Sequence, residues 1–71
     1  MAAPTPQTYH VTVEGELPQS MDLAFDGMTL KRMDGKTTII AHIKDQVHLY
    51  SLLQRLGDLA LTLVALERVA R

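Results

Sequence analysis

From Thr8 to Glu14 the chain alternates, with Tyr9, Val11 and Val13 on one side and His10, Thr12 and Glu14 on the other. That two-residue period predicts a half-buried first strand. Gly15 and Pro18 break it, and Gln19–Gly27 fits a short helix closed by glycine, with Met21, Leu23, Ala24 and Phe25 as its apolar members. Met28–Met33 and Lys36–Ile43 then flank Asp34-Gly35, a pair that tolerates the positive φ angles of a tight hairpin turn. On the second of these strands Thr37, Ile39, Ala41 and Ile43 share one face and Ile40 and His42 the other.

Asp45 can cap a helix, because its carboxylate accepts hydrogen bonds from the unpaired amides of a first turn. Leu49, Leu52, Leu53, Leu56 and Leu59 follow at helical spacing, with Gln46, His48, Gln54, Arg55 and Asp58 mainly on the wetter side. The helix is expected to stop between Gly57 and Ala60. The run 61–69 is short and partly β-branched, which reads as a last strand, a continuing helix being the alternative. Pro4 and Pro6 favour extended backbone, so residues 1–7 read as a flexible lead-in to one domain over residues 8–71.

Strand, short helix, hairpin, long helix and strand make the β-α-β-β-α-β order of a ferredoxin-like two-layer sandwich, an α+β fold. Right-handed crossovers, read as joining parallel neighbours, put both helices on one face of a four-stranded antiparallel-type sheet with the first and third strands central. The other face is then bare. Ile40 lies on it, together with whichever of Leu61/Leu63 and Val64/Leu66 the helices leave uncovered.

Size makes that face matter. A chain of 71 residues buries only roughly 60% of the surface it exposes when unfolded. It has no cysteine for a disulfide, and its only aromatics are Tyr9, Phe25 and Tyr50. Association with another chain is the remaining source of stability, at about 25 cal/mol per Å² of apolar surface buried. A homo-oligomer or a contact with a partner protein is therefore expected, with Ile40, His42 and His10 at the interface.

Seven basic and eight acidic side chains leave a formal charge of −1, without the broad positive field that nucleic-acid binding requires. No apolar run reaches the roughly 20 residues of a membrane-spanning helix, and the first residues do not read as a secretory signal, so the expected location is cytoplasmic.

The segment Asp45–Leu59 carries the pattern D-Q-x-x-L-x-x-L-L-x-R-L-x-D-L. In this, in Phe25-Asp26-Gly27 and in the Asp-Gly hairpin, the chain resembles short single-domain bacterial proteins of unassigned function. The resemblance covers most of the chain beyond the proline-bearing start, supports the fold and brings no activity with it. In those proteins a glycine follows the Asp-Leu pair, where this chain has Ala60. The difference implies an earlier helix end, since a left-handed residue costs alanine on the order of 1 kcal/mol relative to glycine.

Candidate chemistry is sparse. No pair among His10, His42 and His48 has the spacing that puts two imidazoles on one helical turn. His10 and His42 on neighbouring strands form a conceivable metal pair, though ordinary interface polarity explains them as well. Asp22 and Asp26 have no companion base or nucleophile and read as a solvated face and a helix-ending acid. Ser20 and Ser51 lack a nucleophile-elbow setting. The four glycines are too dispersed to cradle a phosphate. Lys31, Arg32 and Lys36 read as solvated edge protection, and the leucine stripe as core. No catalytic, cofactor-binding or metal-binding residue is assigned. The expected function is a non-enzymatic interaction module acting through the open sheet face, with a small-ligand-sensing domain, its ligand at a dimer interface, as the alternative.

Overall fold

A computed structural model describes residues 7–69. Their elements are strand β1 (Gln7–Glu14), a 3₁₀ helix η1 (Gln19–Phe25), strands β2 (Thr29–Met33) and β3 (Lys36–Ile43), helix α1 (Gln46–Asp58) and strand β4 (Leu63–Val69). The strands form one sheet in the order β2-β3-β1-β4, and every neighbouring pair is antiparallel. This is an α+β fold with an open antiparallel sheet and two helices. The crossovers do not join parallel neighbours as expected. β1 and β2 run parallel with β3 between them, and β3 and β4 run parallel with β1 between them.

The hairpin turns at Asp34 and Gly35, whose φ angles are +55° and +75°. Both are positive, as a two-residue turn matched to the twist of its strands requires. The predicted first helix is a 3₁₀ turn. Its one buried residue is Phe25, while Leu23 stands in solvent. Seven residues and a backbone N-cap at Pro18, which offers no side-chain acceptor, leave little to sustain an α-helix.

The core forms where the alternation places it. Val11 and Val13 of β1 and Ile39, Ala41 and Ile43 of β3 are buried together with Leu17, Phe25 and the α1 residues Leu52 and Leu56. Both helices thus pack on one face. Arg55 donates from Nη1 to the carbonyl of Ala24 at 2.7 Å, tying α1 to η1. Thr37 is the buried polar member, and its hydroxyl bonds twice to the 15–17 loop.

Asp45 caps α1 as expected, its Oδ1 accepting the amide of His48 at 2.8 Å. The far end is a Schellman closure. The Leu61 amide donates to the Leu56 carbonyl at 2.9 Å and the Ala60 amide to that of Gly57 at 3.0 Å. Ala60 itself holds φ +59°, so alanine does not bring the earlier helix end that the resemblance implied. Residues 63–69 form the last strand rather than a longer helix. The expected flexibility of the lead-in concerns residues that, apart from Gln7 at the start of β1, lie outside those described.

Candidate interaction surface

Register decides what the uncovered face of the sheet carries. His10 lies opposite Ile40, Thr8 opposite His42, and Thr12 opposite Thr38 across β1 and β3. Across β2 and β3, Thr29 faces Ile40, Lys31 faces Thr38 and Met33 faces Lys36. Paired residues share a face, so Ile40, His10 and His42 come together on the open side. Ile40 is half-buried there. His42 Nδ1 is hydrogen-bonded to Thr8 Oγ1 at 3.1 Å, and the hydroxyls of Thr12 and Thr38 approach to 3.4 Å.

β4 changes the picture. Leu66 pairs with Val11 and Leu63 with Val13, which puts both leucines on the helix side of the sheet. Ala65, opposite Thr12, and Glu67, opposite His10, take the open side. Val64 is the extra residue of a bulge, because the register shifts between Thr12 and Val13. The open face therefore receives no leucine from β4, and threonines surround its central isoleucine.

Besides Met33 at the end of β2, the uncovered large hydrophobic residues of the sheet gather on β4, where Leu63, Val64 and Leu66 are 45%, 45% and 41% exposed. The cause is helix placement. α1 comes closest to the sheet over β3, two strands away from β4. A cleft of about 560 Å³ opens beside the start of α1, with Tyr9, Val47, Leu49 and Arg68 among its lining. A smaller basin of about 400 Å³ lies on the open face, bounded by His10, Thr12, Lys31, Lys36 and Ile40.

The charged residues divide between structure and solvent. Arg32 is not a solvated guard of the sheet edge. Its guanidinium donates to the carbonyls of Leu17 and Pro18 and reaches Asp22 Oδ1 at 2.6 Å, strapping the 17–22 segment to β2. Asp22 therefore has a structural partner. Lys31 and Lys36 are exposed, as are Ser20 and Ser51. Among the described residues no three potential ligands converge on a metal site. No helix there is long and apolar enough to cross a membrane.

Sequence reasoning placed Ile40, His10 and His42 on one face and named Leu63, Val64 and Leu66 among the residues left uncovered. It missed the Thr37 anchor, and it put the uncovered ones on the open face, whereas Leu63 and Leu66 lie on the helix side. The run of four apolar residues from Leu63 to Leu66, next to charged Glu67 and Arg68, was the available signal. Its meaning depended on β4 being an edge strand.

These features define a small two-layer α+β domain whose sheet is covered on one side only, and whose last strand is apolar and unshielded. The chain belongs to the family described as "Domain of unknown function (DUF8691)", whose model matches residues 8–67. Neither the curated proteins nor the solved structures contain a significant match.

Proposed function

We propose that this chain is a non-enzymatic interaction module that self-associates or docks on a partner protein through the uncovered parts of its sheet. The observation that carries the reading is the exposure of Leu63, Val64 and Leu66 on one strand, in a chain too small to leave so much apolar surface in water without cost. The open face with Ile40, His10 and His42 is a second contact region of the same sheet, more polar than the sequence led us to expect. The strand order, with each helical element joining parallel strands that have another strand between them, supports a ferredoxin-like arrangement. A cysteine-free composition is in keeping with a cytoplasmic setting. Light scattering at micromolar concentration tests self-association. Ile40→Glu weakens assembly through the open face and leaves the helical circular dichroism intact, whereas an unchanged assembly removes that face from the contact.

A second reading rests on the 400 Å³ basin beside Ile40, where two lysines, a histidine and two threonine hydroxyls converge. It is a small-ligand-sensing domain. A ligand that binds only the folded chain raises its apparent stability, so a thermal-shift screen of amino acids, nucleotides and metal ions separates the two readings. A Tm that stays flat across the screen removes the second.

A further inference from the structure

The two edges of the sheet are built differently. β2 is five residues long, presents Lys31 and is strapped through Arg32 to the 17–22 segment, as edges that avoid pairing commonly are. β4 has seven residues and opens with Leu-Val-Ala-Leu. Among the described residues it has a neighbour on one side only, so a row of backbone amides and carbonyls faces outward beside exposed leucines.

Leu63 and Leu66, both on the helix side of this edge, are 45% and 41% exposed, so the free edge is bordered by uncovered leucines.

We propose that β4 pairs antiparallel with β4 of a second copy of this chain about a twofold axis at Leu66, making one eight-stranded sheet. The inference rests on the self-association reading above and names its surface. A strand pairing with its own copy about a residue keeps helix side against helix side on either side of that axis, as far as the Val64 bulge. An axis at Glu67 sets the two glutamates opposite each other, and one at Arg68 does the same for the arginines, both unfavourable. An axis at Ala65 brings the Val64 bulges of both strands within one residue of the centre, where the ladder is broken. The axis at Leu66 opposes Leu66 with its copy and Ala65 with Glu67, avoiding all three conflicts, and it buries the exposed Leu66 side chains against each other.

The chain has no cysteine, so single-cysteine variants of the full chain report the register directly. Residues opposed across an antiparallel pair have Cα atoms roughly 4.5–5.5 Å apart, within disulfide range, whereas the two copies of residue 67 would sit about 8 Å apart and outside it. Under mild oxidation Leu66→Cys is expected to cross-link into a dimer at least roughly ten times faster than Glu67→Cys or Ile40→Cys. Faster linking of Glu67→Cys overturns the register. Fastest linking of Ile40→Cys overturns the edge and leaves self-association standing, while wild-type protein that remains monomeric at micromolar concentration overturns both. If Leu66→Cys loses its fold, Ala65→Lys and Ala65→Glu carry the test. Facing Glu67 of the other copy, the lysine is expected to tighten and the glutamate to weaken dimerisation, each by roughly five-fold, and equal affinities of the two overturn the proposal.

Discussion

The hydroxyl of Thr37 accepts the amide of Leu17 at 2.9 Å and donates to the carbonyl of Gly15 at 2.8 Å, so one buried side chain on β3 fixes the loop that leaves β1. Leu17 belongs to the core. The loop can therefore bury its leucine without leaving backbone polar groups unpaired, which would otherwise cost about 1–3 kcal/mol. Gly15 and Glu16 reinforce the anchor from the hairpin side. The Gly15 amide donates to the Gly35 carbonyl at 2.6 Å, and Glu16 Oε2 accepts the Gly35 amide at 3.0 Å.

Thr37→Val keeps the shape of the side chain and removes both bonds. We expect a loss of about 1–3 kcal/mol, read as a fall in Tm of roughly 4–8 °C for each kcal/mol in a domain of this size. Thr37→Ser, which retains the hydroxyl, should lose less. Thermal denaturation of the pair checks this, and a valine variant as stable as the wild type would mean that water satisfies both groups.

Arg32 should matter more than its ion pair. Its link to Asp22 is partly exposed, with side-chain exposures of 25% and 54%, and pairs of that kind contribute at most about 1 kcal/mol. The bonds to the Leu17 and Pro18 carbonyls are separate. Urea unfolding of Arg32→Ala is accordingly expected to show a loss of about 1–2 kcal/mol, against less than about 0.5 for Asp22→Ala. Equal losses would reduce the strap to its salt bridge.

These anchors show where the sequence was legible and where it was not. Alternation in 8–14 and 36–43 identified the buried valines and isoleucines, because a strand has only two faces. The leucine spacing located α1 for the same kind of reason. Thr37 also fell on the inward face, but nothing local indicates that its hydroxyl meets a loop twenty residues away in sequence. Arg32 posed a similar problem, since a charged residue in a hairpin reads as solvated until η1 is seen beside it. β4 was only partly legible. Its residues were assigned to a strand, but which face each takes depends on the bulge at Val64, and their exposure on where α1 sits along the sheet. Ile40, His10 and His42 were placed on one face correctly, while the polar character of that face emerged only once the threonines of β1, β2 and β3 were in register.

Ala60 is a position where the chain accepts backbone strain. At φ +59° its Cβ crowds the following carbonyl, a cost of roughly 1–2 kcal/mol for a residue other than glycine. Schellman bonds on either side hold it there. Ala60→Gly relieves the crowding but gains backbone freedom in the unfolded chain, so the expected net effect is a stabilisation of about 0.5–1 kcal/mol. Chemical denaturation measures it directly, and a destabilised glycine variant would show that the alanine methyl contributes packing that outweighs the strain.

At the other end of α1, two side chains cap reciprocally. Asp45 Oδ1 accepts the His48 amide at 2.8 Å, while His48 Nδ1 accepts the Lys44 amide at 3.1 Å. The second bond requires a lone pair on Nδ1, so the imidazole proton sits on Nε2 in this arrangement. The pattern is a relative of the capping box, with histidine in the position usually held by glutamate or glutamine. Asp45→Ala removes the acceptor and should cost about 1 kcal/mol, whereas Asp45→Asn keeps a side-chain oxygen and should cost only a few tenths. His48→Gln can rebuild the return bond through its amide oxygen. His48→Lys cannot accept a hydrogen bond and also brings positive charge to the positive end of the helix dipole. Helical circular dichroism followed through a thermal melt should therefore rank wild type and His48→Gln together, with His48→Lys below both. A lysine variant that melts with the wild type would show that Asp45 alone closes this end of the helix.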